Sequence, residues 1–334
     1  MKCVKVPLKE LNDTRIALME KGLMNMEYRI KADTEFGYIP VNDDVEGHEI
    51  VCMHLEEMPK VPHNFSELLE GELTDEEIEN LRTSFDTIGD IVILEIPDDL
   101  EDKKDIIGDA ALRFTKRKAI YMKKSAIKGT TRVRDLEFLA GEDDSVTIHK
   151  EHGARLKLDV REVYFSPRLA TERKRVMESV ADGERILDMF CGIGPFPIVI
   201  AKNRNVEITA VDINESAITY LDENIRLNKL KGRIESRCGD ARQVSKSFNC
   251  KFDRIIMNLP GLAYTFLDVA FNLIEDGGTI NYYEFSDSYE QGIKRLESAA
   301  STAGKRVEVT NCRKVKSTSP GEWHVAIDVK VHSV

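Results

Sequence analysis

The chain has 334 residues, 42% of them hydrophobic, which is long enough for two or three domains with sizeable buried cores. Its formal net charge of −11 argues against non-specific nucleic-acid binding by the whole surface, although a local basic site is compatible with it. No apolar run approaches the ~20 residues of a membrane helix, and the first residues lack the apolar core of a signal peptide, so we expect a cytoplasmic location.

Residues 1–56 alternate short apolar runs with an amphipathic helix at 11–21, a pattern that predicts a small α+β module. Two prolines among polar residues at 57–64 indicate a linker. A polar helical pattern follows, in which Thr74 and Glu77 have the spacing of a capping box. We therefore predict that the first domain ends at residue 56.

A second α+β domain is predicted for residues 57–160. Its elements are a buried strand at 88–99, a helix at 99–114, a strand at 118–124 and two alternating runs joined by a turn at 151–153. The segment 116–134 carries five lysines, three arginines and no acidic residue. Such a run is more often a solvated face than a nucleic-acid site, so its role depends on its neighbours.

From residue 161 the pattern becomes a regular alternation of strands and helices. Strands are predicted at 185–189, 208–214, 234–240, 252–260 and 277–286, and two later strands are joined by the turn SPGE. This alternation predicts an α/β domain over 161–334, with an open, mostly parallel, seven-stranded sheet and an antiparallel hairpin at its edge.

The segment RILDMFCGIGPF is the stretch around which this domain is organised. A buried strand enters a glycine turn at Gly192 and Gly194 and a helix follows, which together form a cradle of nucleotide size. Asp212 ends the next strand, twenty residues after Gly192, where a ribose-binding carboxylate is expected. Pro197 replaces the third glycine of a dinucleotide fingerprint, which favours a nucleoside ligand such as S-adenosylmethionine over a pyrophosphate. The plainer alternative is a turn without a ligand.

Polar residues recur at the predicted carboxyl ends of the strands, where ligands bind in open α/β sheets. They are Asp188, Asp212, Asp240 and Asn258. Along this edge DMFCGIGPF, VDIN and GDAR resemble the motifs of a class I S-adenosylmethionine-dependent methyltransferase. The resemblance implies a Rossmann-like fold, with Asp188 bonding the glycine turn and Cys191 packing beside the cofactor.

Four further motifs, RVRDLEFLAGE, TIHKEHG, VYFSPRLATER and MNLPG, occur in an order that resembles archaeal and eukaryotic tRNA (guanine-37 N1)-methyltransferases. This likeness covers residues from about 84 to 334, and the first module is compatible with the three-domain archaeal form. It implies methyl transfer from S-adenosylmethionine to N1 of guanosine 37 in the anticodon loop. We accordingly expect tRNA with G37 as the partner and a monomer that needs neither a membrane nor a metal. The six scattered cysteines, without a C-x-x-C pair, also indicate no zinc site.

Methylation at N1 requires loss of a ring proton while negative charge spreads to O6, so a base and a cation are needed. The resemblance implies that Glu172 takes the proton, that Arg132 stabilises O6, and that Asn258 and Pro260 position the flipped base. The predicted cofactor contacts are Phe190, Gly192, Gly194, Asp212, Ile213, Asn214, Asp240, Ala241 and Asn258. The predicted tRNA contacts are Tyr164, Arg168, Arg132, Lys123 and Lys124.

These roles have plainer alternatives. Arg132 could be one more phosphate contact, Glu172 could only favour a helix N terminus, and Tyr164 could be a packed aromatic. For the whole chain, the closest alternative is a wyosine-pathway enzyme that acts on the same nucleotide by carbon methylation or aminocarboxypropyl transfer, in which a doubled proline usually replaces MNLPG. A non-catalytic tRNA-binding protein would have a damaged cofactor loop or lack the base. A small-molecule methyltransferase is disfavoured by the basic run.

Overall fold

The computed structural model describes residues 1–59, 62–125, 134–319 and 321–334. Arg132, the predicted catalytic cation, lies outside the described residues, as does part of the basic run. The chain forms two compact units, residues 1–63 and residues 64–334. The predicted boundaries at residues 56 and 160 stay predictions.

The first unit is a small sheet with one helix, as its sequence pattern predicts. Its elements are β1 (Lys2–Pro7), α1 (Leu11–Glu20), β2 (Lys31–Ala32), β3 (Phe36–Pro40) and β4 (Glu49–Cys52). The strands pair antiparallel in the order β2-β3-β1-β4. Val4, Leu18 and Ile39 are buried between the helix and the sheet and form its core.

The second unit begins with a four-stranded sheet and a separate hairpin. Its elements are α2 (Asp75–Asn80), β5 (Asp86–Ile88), β6 (Ile91–Leu94), α3 (Lys104–Thr115), β7 (Ala119–Lys123), β8 (Leu136–Gly141), β9 (Val146–Glu151) and β10 (Ala154–Asp159). The four-stranded sheet has the order β5-β6-β7-β8, and β9 pairs with β10. Residues His152 and Gly153 join this hairpin with positive φ at both positions, as a two-residue turn of type I′ requires.

Three local predictions need adjustment here. The strand predicted at 88–99 is two short strands, because Gly89, with φ of 59°, turns the chain between them. The helix predicted at 99–114 starts with a 3-10 segment, Asp98–Lys103, before α3. The polar helical pattern is interrupted at Gly71, which has φ of 86°, although the predicted capping box is confirmed at Thr74.

The remaining residues form a seven-stranded sheet flanked by helices, which confirms the predicted fold class. The elements are α4 (Ala170–Ser179), β11 (Arg185–Asp188), α5 (Pro195–Asn203), β12 (Glu207–Asp212), α6 (Glu215–Leu227), β13 (Arg233–Cys238), α7 (Ala241–Val244), β14 (Phe252–Met257), α8 (Leu267–Leu273), β15 (Ile274–Ser286), α9 (Glu290–Thr302), β16 (Lys305–Ser319) and β17 (Glu322–Ser333). The order is β13-β12-β11-β14-β15-β17-β16, parallel except for β17, which is antiparallel to both neighbours.

The central strands are apolar on both faces, as parallel strands between helix layers must be. In β11, Ile186 and Leu187 are fully buried and face opposite sides of the sheet. Each such side chain contributes roughly 1.5–3 kcal/mol by leaving water. The carboxyl ends of β11, β12, β13 and β14 therefore meet at one rigid edge.

The β9–β10 hairpin packs against this domain through a buried amide. Asn224 of α6 accepts a hydrogen bond from the Lys157 N–H at 2.7 Å and donates to the Lys157 carbonyl at 3.1 Å. The same amide donates to the carbonyl of Ile193, in the glycine turn, at 3.1 Å. One side chain thus joins the hairpin, the helix and the turn that supports the ligand cradle.

Within the described ranges, no helix is both long and apolar enough to span a membrane. The same residues contain no group of three or more His, Cys, Asp and Glu side chains placed to hold a metal ion. All six cysteines are free thiols.

Candidate active site

A crevice lies at the carboxyl edge of the seven-stranded sheet, and most of the predicted site residues line it. These are Tyr164, Phe190, Gly192, Asp212, Ile213, Asn214, Asp240, Ala241, Asn258 and Pro260. They come from the loops after β11, β12, β13 and β14 and from the segment before α4. Residues separated by almost a hundred positions in the sequence therefore meet at one site because parallel strands end at one edge.

The glycine turn has the conformation that its sequence predicts. Gly192 and Gly194 have φ of 54° and 82°, in the region that side chains disfavour. A Cβ at Gly194 would lie 2.3 Å from Cδ1 of Leu221, so this glycine also lets α6 approach. Gly194 does not line the crevice, and its predicted role as a cofactor contact becomes one of shaping the turn.

Backbone N–H groups hold the carboxylates of Asp212 and Asp240. We call this part of the crevice the nucleoside side, because the sequence predicts a nucleoside ligand there. Asp212 accepts hydrogen bonds from the N–H groups of Gly192 at 2.7 Å and Asn214 at 2.9 Å. Asp240 caps α7 through its Oδ1, which accepts from the N–H groups of Arg242 and Gln243. Burial raises the pKa of Asp212, and hydrogen bonds from the backbone of Asn214, Gly192 and Ile213 oppose that shift.

Asp188 lies behind the turn rather than in the crevice. Its Oδ1 accepts from the Phe190 N–H at 3.3 Å, while Oδ2 is buried without a hydrogen-bond partner among the described residues. Burial raises the pKa of this carboxyl to about 8. Burial likewise raises the pKa of Cys191, so that thiol stays protonated and packs beside the crevice.

The crevice also has an apolar wall. The ring of Phe190 meets Phe266 edge to face at 5.0 Å between centroids. Ile213 also lines the crevice and is 46% exposed, although it is a large hydrophobic residue. An aromatic base could bury apolar area against these side chains.

Asn258 follows β14 and presents an unusual acceptor. Its Oδ1 is buried and has no hydrogen-bond partner within the described part of the chain. A buried polar atom without a partner is costly, and a substrate N–H would satisfy it. The nearby Pro260 carbonyl accepts from the Phe285 N–H at 3.3 Å, so part of its predicted capacity to contact the base is already used.

Glu172, the predicted base, does not line the crevice. Its side chain is 1% exposed, at the start of α4. Its Oε1 accepts from Arg175 Nη2 at 2.7 Å and from the hydroxyl of Tyr283 at 2.8 Å, and Arg313 Nε lies 3.4 Å from Oε2. The carboxylate is therefore held in a polar cluster next to the crevice wall.

Among the predicted tRNA contacts that the structure describes, Arg168, Lys123 and Lys124 lie outside the crevice lining. Arg168 Nε donates to Asp86 Oδ1 at 2.5 Å, and Lys123 Nζ is 3.9 Å from Oδ2 of the same aspartate. Burial lowers the pKa of Lys123. Lys124 instead pairs with Glu101 and Glu137 on another part of the surface, so the two neighbouring lysines have different environments.

Several crevice residues escaped the sequence predictions, and four of them, Arg173, Phe285, Lys316 and His324, carry polar or aromatic side chains. Arg173 is buried and bound through two nitrogens to Glu151 of β9, at 2.5 and 2.6 Å. Lys316 and His324 lie near the turn of the β16–β17 hairpin, which the antiparallel direction of β17 brings to the carboxyl edge. The sequence predicts this antiparallel hairpin. Its strand direction alone implies that the residues near its turn lie at the carboxyl edge of the sheet.

Three family descriptions match the chain. They are the TRM5/TYW2 methyltransferase domain at residues 147–310, the TYW2 N-terminal domain at 65–144 and the tRNA methyltransferase 5 N-terminal domain at 3–49. The tRNA (guanine(37)-N(1))-methyltransferase Trm5b of Pyrococcus abyssi is 44% identical over 98% of this chain and 98% of its own length. The chain belongs to the TRM5/TYW2 methyltransferase family.

Two solved structures and a second relative extend this result. The crystal structure of Trm5b from Pyrococcus abyssi is 43% identical, covers 99% of both chains and superposes with a TM-score of 0.87. A complex of aTrm5 with tRNALeu is 38% identical, covers 99% of both chains and has a TM-score of 0.83. A tRNA(Phe) (4-demethylwyosine(37)-C(7)) aminocarboxypropyltransferase of Methanocaldococcus jannaschii is 34% identical over 75% of this chain and 98% of its own length.

As a member of this family, the chain is an S-adenosylmethionine-dependent methyltransferase with a class I fold. The crevice of this methyltransferase suits that cofactor. Asp212 and Asp240 offer carboxylates on one side, Phe190 and Ile213 offer apolar surface, and Gly192 brings the backbone close. The polar groups suit the ribose and the adenine amino group, and the apolar wall suits the adenine face.

Proposed function

We propose that this methyltransferase transfers a methyl group from S-adenosylmethionine to N1 of guanosine 37 in tRNA. The observation that carries the proposal is the similarity to Trm5b along the whole chain, at 44% identity over 98% of its length. The match of residues 3–49 to the tRNA methyltransferase 5 N-terminal domain adds support. The aminocarboxypropyltransferase relative matches only 75% of the chain, and MNLPG lacks the doubled proline expected of wyosine-pathway enzymes.

The bound donor supplies an electrophilic methyl group on a sulfonium centre. The chain's own task is to bind the two substrates, orient them and exclude water. Asp212, Asp240 and Phe190 would hold the nucleoside part of the donor. The buried Oδ1 of Asn258 would accept a hydrogen bond from an N–H of the flipped guanine, since it has no other partner among the described residues.

Guanine N1 carries a proton that must leave as the new N–C bond forms. Glu172 would accept this proton, and Arg132 would stabilise the negative charge that develops on O6. Glu172 is next to Arg173, which lines the crevice, and its carboxylate is bonded to Tyr283 at 2.8 Å. The Tyr283 ring lies near the rings of His324 and Phe196, which line the crevice, so the carboxylate lies behind the crevice wall. This chemistry is complete without a metal ion.

The tRNA would bind across the basic side chains near the crevice. Lys316 lines the crevice, while Arg168 and Lys123 lie together beside Asp86. These cations suit loop phosphates, which position a nucleic acid without reading its sequence. An unstacked anticodon base costs less to flip than a base in a duplex.

Three domains would divide this work. Residues 1–56 would contact a distant part of the tRNA, residues 57–160 the anticodon arm, and residues 161–334 would carry out catalysis. Deleting residues 1–56 should raise the KM for tRNA more than it lowers kcat. We further propose that the enzyme acts as a monomer in the cytoplasm.

Methyl transfer from labelled cofactor to a tRNA transcript tests the proposal. The transcript with G37 should be labelled, and a matched transcript with another base at position 37 should not. Mass spectrometry of the digested product should give 1-methylguanosine. An aminocarboxypropyl product, or a substrate requirement for 4-demethylwyosine, would identify the wyosine-pathway alternative. Binding of tRNA without any turnover would identify a non-catalytic protein.

A further inference from the structure

The buried carboxylate of Glu172 is held by charged groups from two secondary-structure elements. On its own helix, α4, Arg175 donates from Nη2 to Glu172 at 2.7 Å and from Nη1 to Asp328 of β17 at 2.5 Å. From β16, Arg313 places Nε 3.4 Å from the other oxygen of Glu172. Arg175 therefore bridges two carboxylates whose residues are far apart in the sequence.

A neutral donor completes the cluster. The hydroxyl of Tyr283 in β15 donates to Glu172 at 2.8 Å. The Tyr283 ring lies 5.4 Å from the ring of His324 and 6.1 Å from Phe196, and both of these residues line the crevice. The cluster is consequently one side-chain layer behind the crevice wall.

The charges in this cluster balance. Glu172 and Asp328 are the two acids, and Arg175 and Arg313 are the two cations in contact with them. Burial lowers the pKa of Arg175, but its hydrogen bonds to both carboxylates more than offset this, and the pKa is raised overall. The guanidinium therefore remains charged at every pH at which the enzyme could be assayed.

Asp328 is itself fixed from behind. Its Oδ1 accepts from Asn281 Nδ2 at 2.6 Å, and Asn281 Oδ1 accepts from Arg254 Nη1 at 3.1 Å. Arg254 in turn pairs with Glu184 at 2.7 Å. The position of Arg175, and through it that of Glu172, is thus set by a continuous chain of hydrogen bonds inside the sheet.

We propose that Arg175, Arg313 and Asp328 are positioning residues that orient Glu172 and set its basicity. The inference rests on the proposed function, in which Glu172 removes the N1 proton. The two guanidinium groups favour the ionised carboxylate, which is the form that can accept a proton. Asp328 shares Arg175 and so limits how strongly that arginine weakens Glu172 as a base.

This arrangement predicts shifts of opposite sign. If Arg313 becomes neutral, Glu172 loses a favourable charge and protonates more readily, so the acid limb of the kcat–pH profile should move up by about one pH unit. If Asp328 becomes neutral, Arg175 acts on Glu172 alone, and the limb should move down by roughly several tenths of a pH unit. The shift is smaller because Asp328 acts on Glu172 only through Arg175. A purely structural role gives no reason for opposite signs.

The experiment compares single-turnover methylation rates of G37 tRNA across the acid limb, from about pH 3.5 to pH 8, for Arg313→Met, Arg313→Lys and Asp328→Asn. Arg313→Lys keeps the charge and should restore the wild-type limb. Arg295→Met is the matched control. Arg295 is 33% exposed and pairs with Glu284, which is 1% exposed, whereas Arg313 is 32% exposed and pairs with the equally buried Glu172.

The other groups facing Glu172 are Tyr283 and, behind it, His324. Tyr283→Phe, which removes one donor and no charge, should leave the limb between those of wild type and Arg313→Met. Unchanged limbs in Arg313→Met and Asp328→Asn, or shifts of the same sign in both, would overturn the proposal. Should Arg313→Met fail to fold, Asp328→Asn decides the question alone, since it is nearly isosteric.

Failure of this inference can be separated from failure of the proposed function. If Glu172→Gln is inactive but the limbs do not move, only the positioning role is wrong. If Glu172→Gln is fully active, Glu172 is not the base and the positioning role fails with it. If no variant and no wild-type protein methylates G37, the proposed function itself is wrong.

Discussion

The carboxylates that line the crevice and the carboxylate behind its wall are held by different kinds of hydrogen-bond donor. On the nucleoside side, Asp212 and Asp240 accept hydrogen bonds from backbone N–H groups in their own or adjacent loops. Behind the crevice wall, Glu172 is held by the side chains of Arg175, Arg313 and Tyr283. Backbone donors carry no net charge and are kept in every substitution except one to proline, whereas side-chain cations change the basicity of a carboxylate and can be replaced.

This difference suits two kinds of work. Ribose and adenine groups need fixed acceptors, and a turn of backbone supplies these with little reorganisation. A proton acceptor needs a defined orientation and basicity, which opposite charges adjust. The contrast can be tested from both sides, because one set of carboxylates should control binding and the other should control the chemical step.

The largest expected effect is on the chemical step. Glu172→Gln should lower the single-turnover rate by ~10²-fold or more and leave donor affinity unchanged, since a carboxamide cannot take the proton. Arg132→Ala should slow the step to a similar degree if it stabilises O6. Glu284→Gln is the control, because Glu284 is equally buried in the same domain. Full activity of Glu172→Gln would show that Glu172 is not the base.

The next effect concerns stability and pH. Asp188 has a folded pKa of about 8, above its ordinary value, so the folded state binds its proton more tightly than the unfolded state does. The contribution of Asp188 to the stability of the wild-type protein should therefore fall as pH rises from about 4 to 8. Asp188→Asn, which mimics the protonated acid, should be more stable than wild type at pH 8 by on the order of 5 kcal/mol and similar near pH 4.

Melting curves at several pH values would measure this difference. A gap between Asp188→Asn and wild type that does not change with pH would show that Asp188 is ionised in the folded protein at neutral pH. Its partnerless Oδ2 would then need a donor that the described residues do not provide.

A smaller effect is expected for donor binding. Asp212→Asn should weaken S-adenosylmethionine binding about tenfold, by one hydrogen bond to a charged group, with little effect on the rate at saturating donor. Calorimetric titration would measure the affinity. Asp222→Asn is a suitable control, because Asp222 bonds Ser236 and lies outside the crevice lining. If both variants bind the donor as wild type does, the ribose assignment is wrong.

The smallest effect separates two surface lysines. Lys124→Ala should change the KM for tRNA by less than about twofold, because Lys124 already pairs with Glu101 and Glu137. Lys316→Ala should raise it about threefold or more, because Lys316 lines the crevice. Equal effects on KM, measured at one fixed salt concentration, would contradict this distinction.

The nucleoside side could be predicted from the sequence because its contacts are local. A buried strand, two glycines and an aspartate twenty residues later define where Gly192 and Asp212 meet. Their position follows from the strand–turn–helix pattern alone. The same logic predicted the seven-stranded sheet and the capping box at Thr74.

The base side could not be predicted in this way. Arg175 and Asp328 are 153 residues apart, and no periodicity in the sequence links them. The strand at 88–99 was also misjudged, because its apolar run hides a turn at Gly89. A tertiary contact decided the first case, which only the fold brings about, and a local glycine turn decided the second.

The strand β17 lies between β15 and β16, yet it follows both of them in the chain. The sheet therefore cannot be completed until β17 has been synthesised, when the β16–β17 hairpin can pair with β15. His324 and Asp328 both belong to β17. The part of the crevice wall formed by His324 and the hydrogen bond from Arg175 to Asp328 therefore do not exist before β17 pairs with β15. A nascent chain can shape the adenosine cradle early, but it cannot complete the proton acceptor's surroundings until the sheet closes.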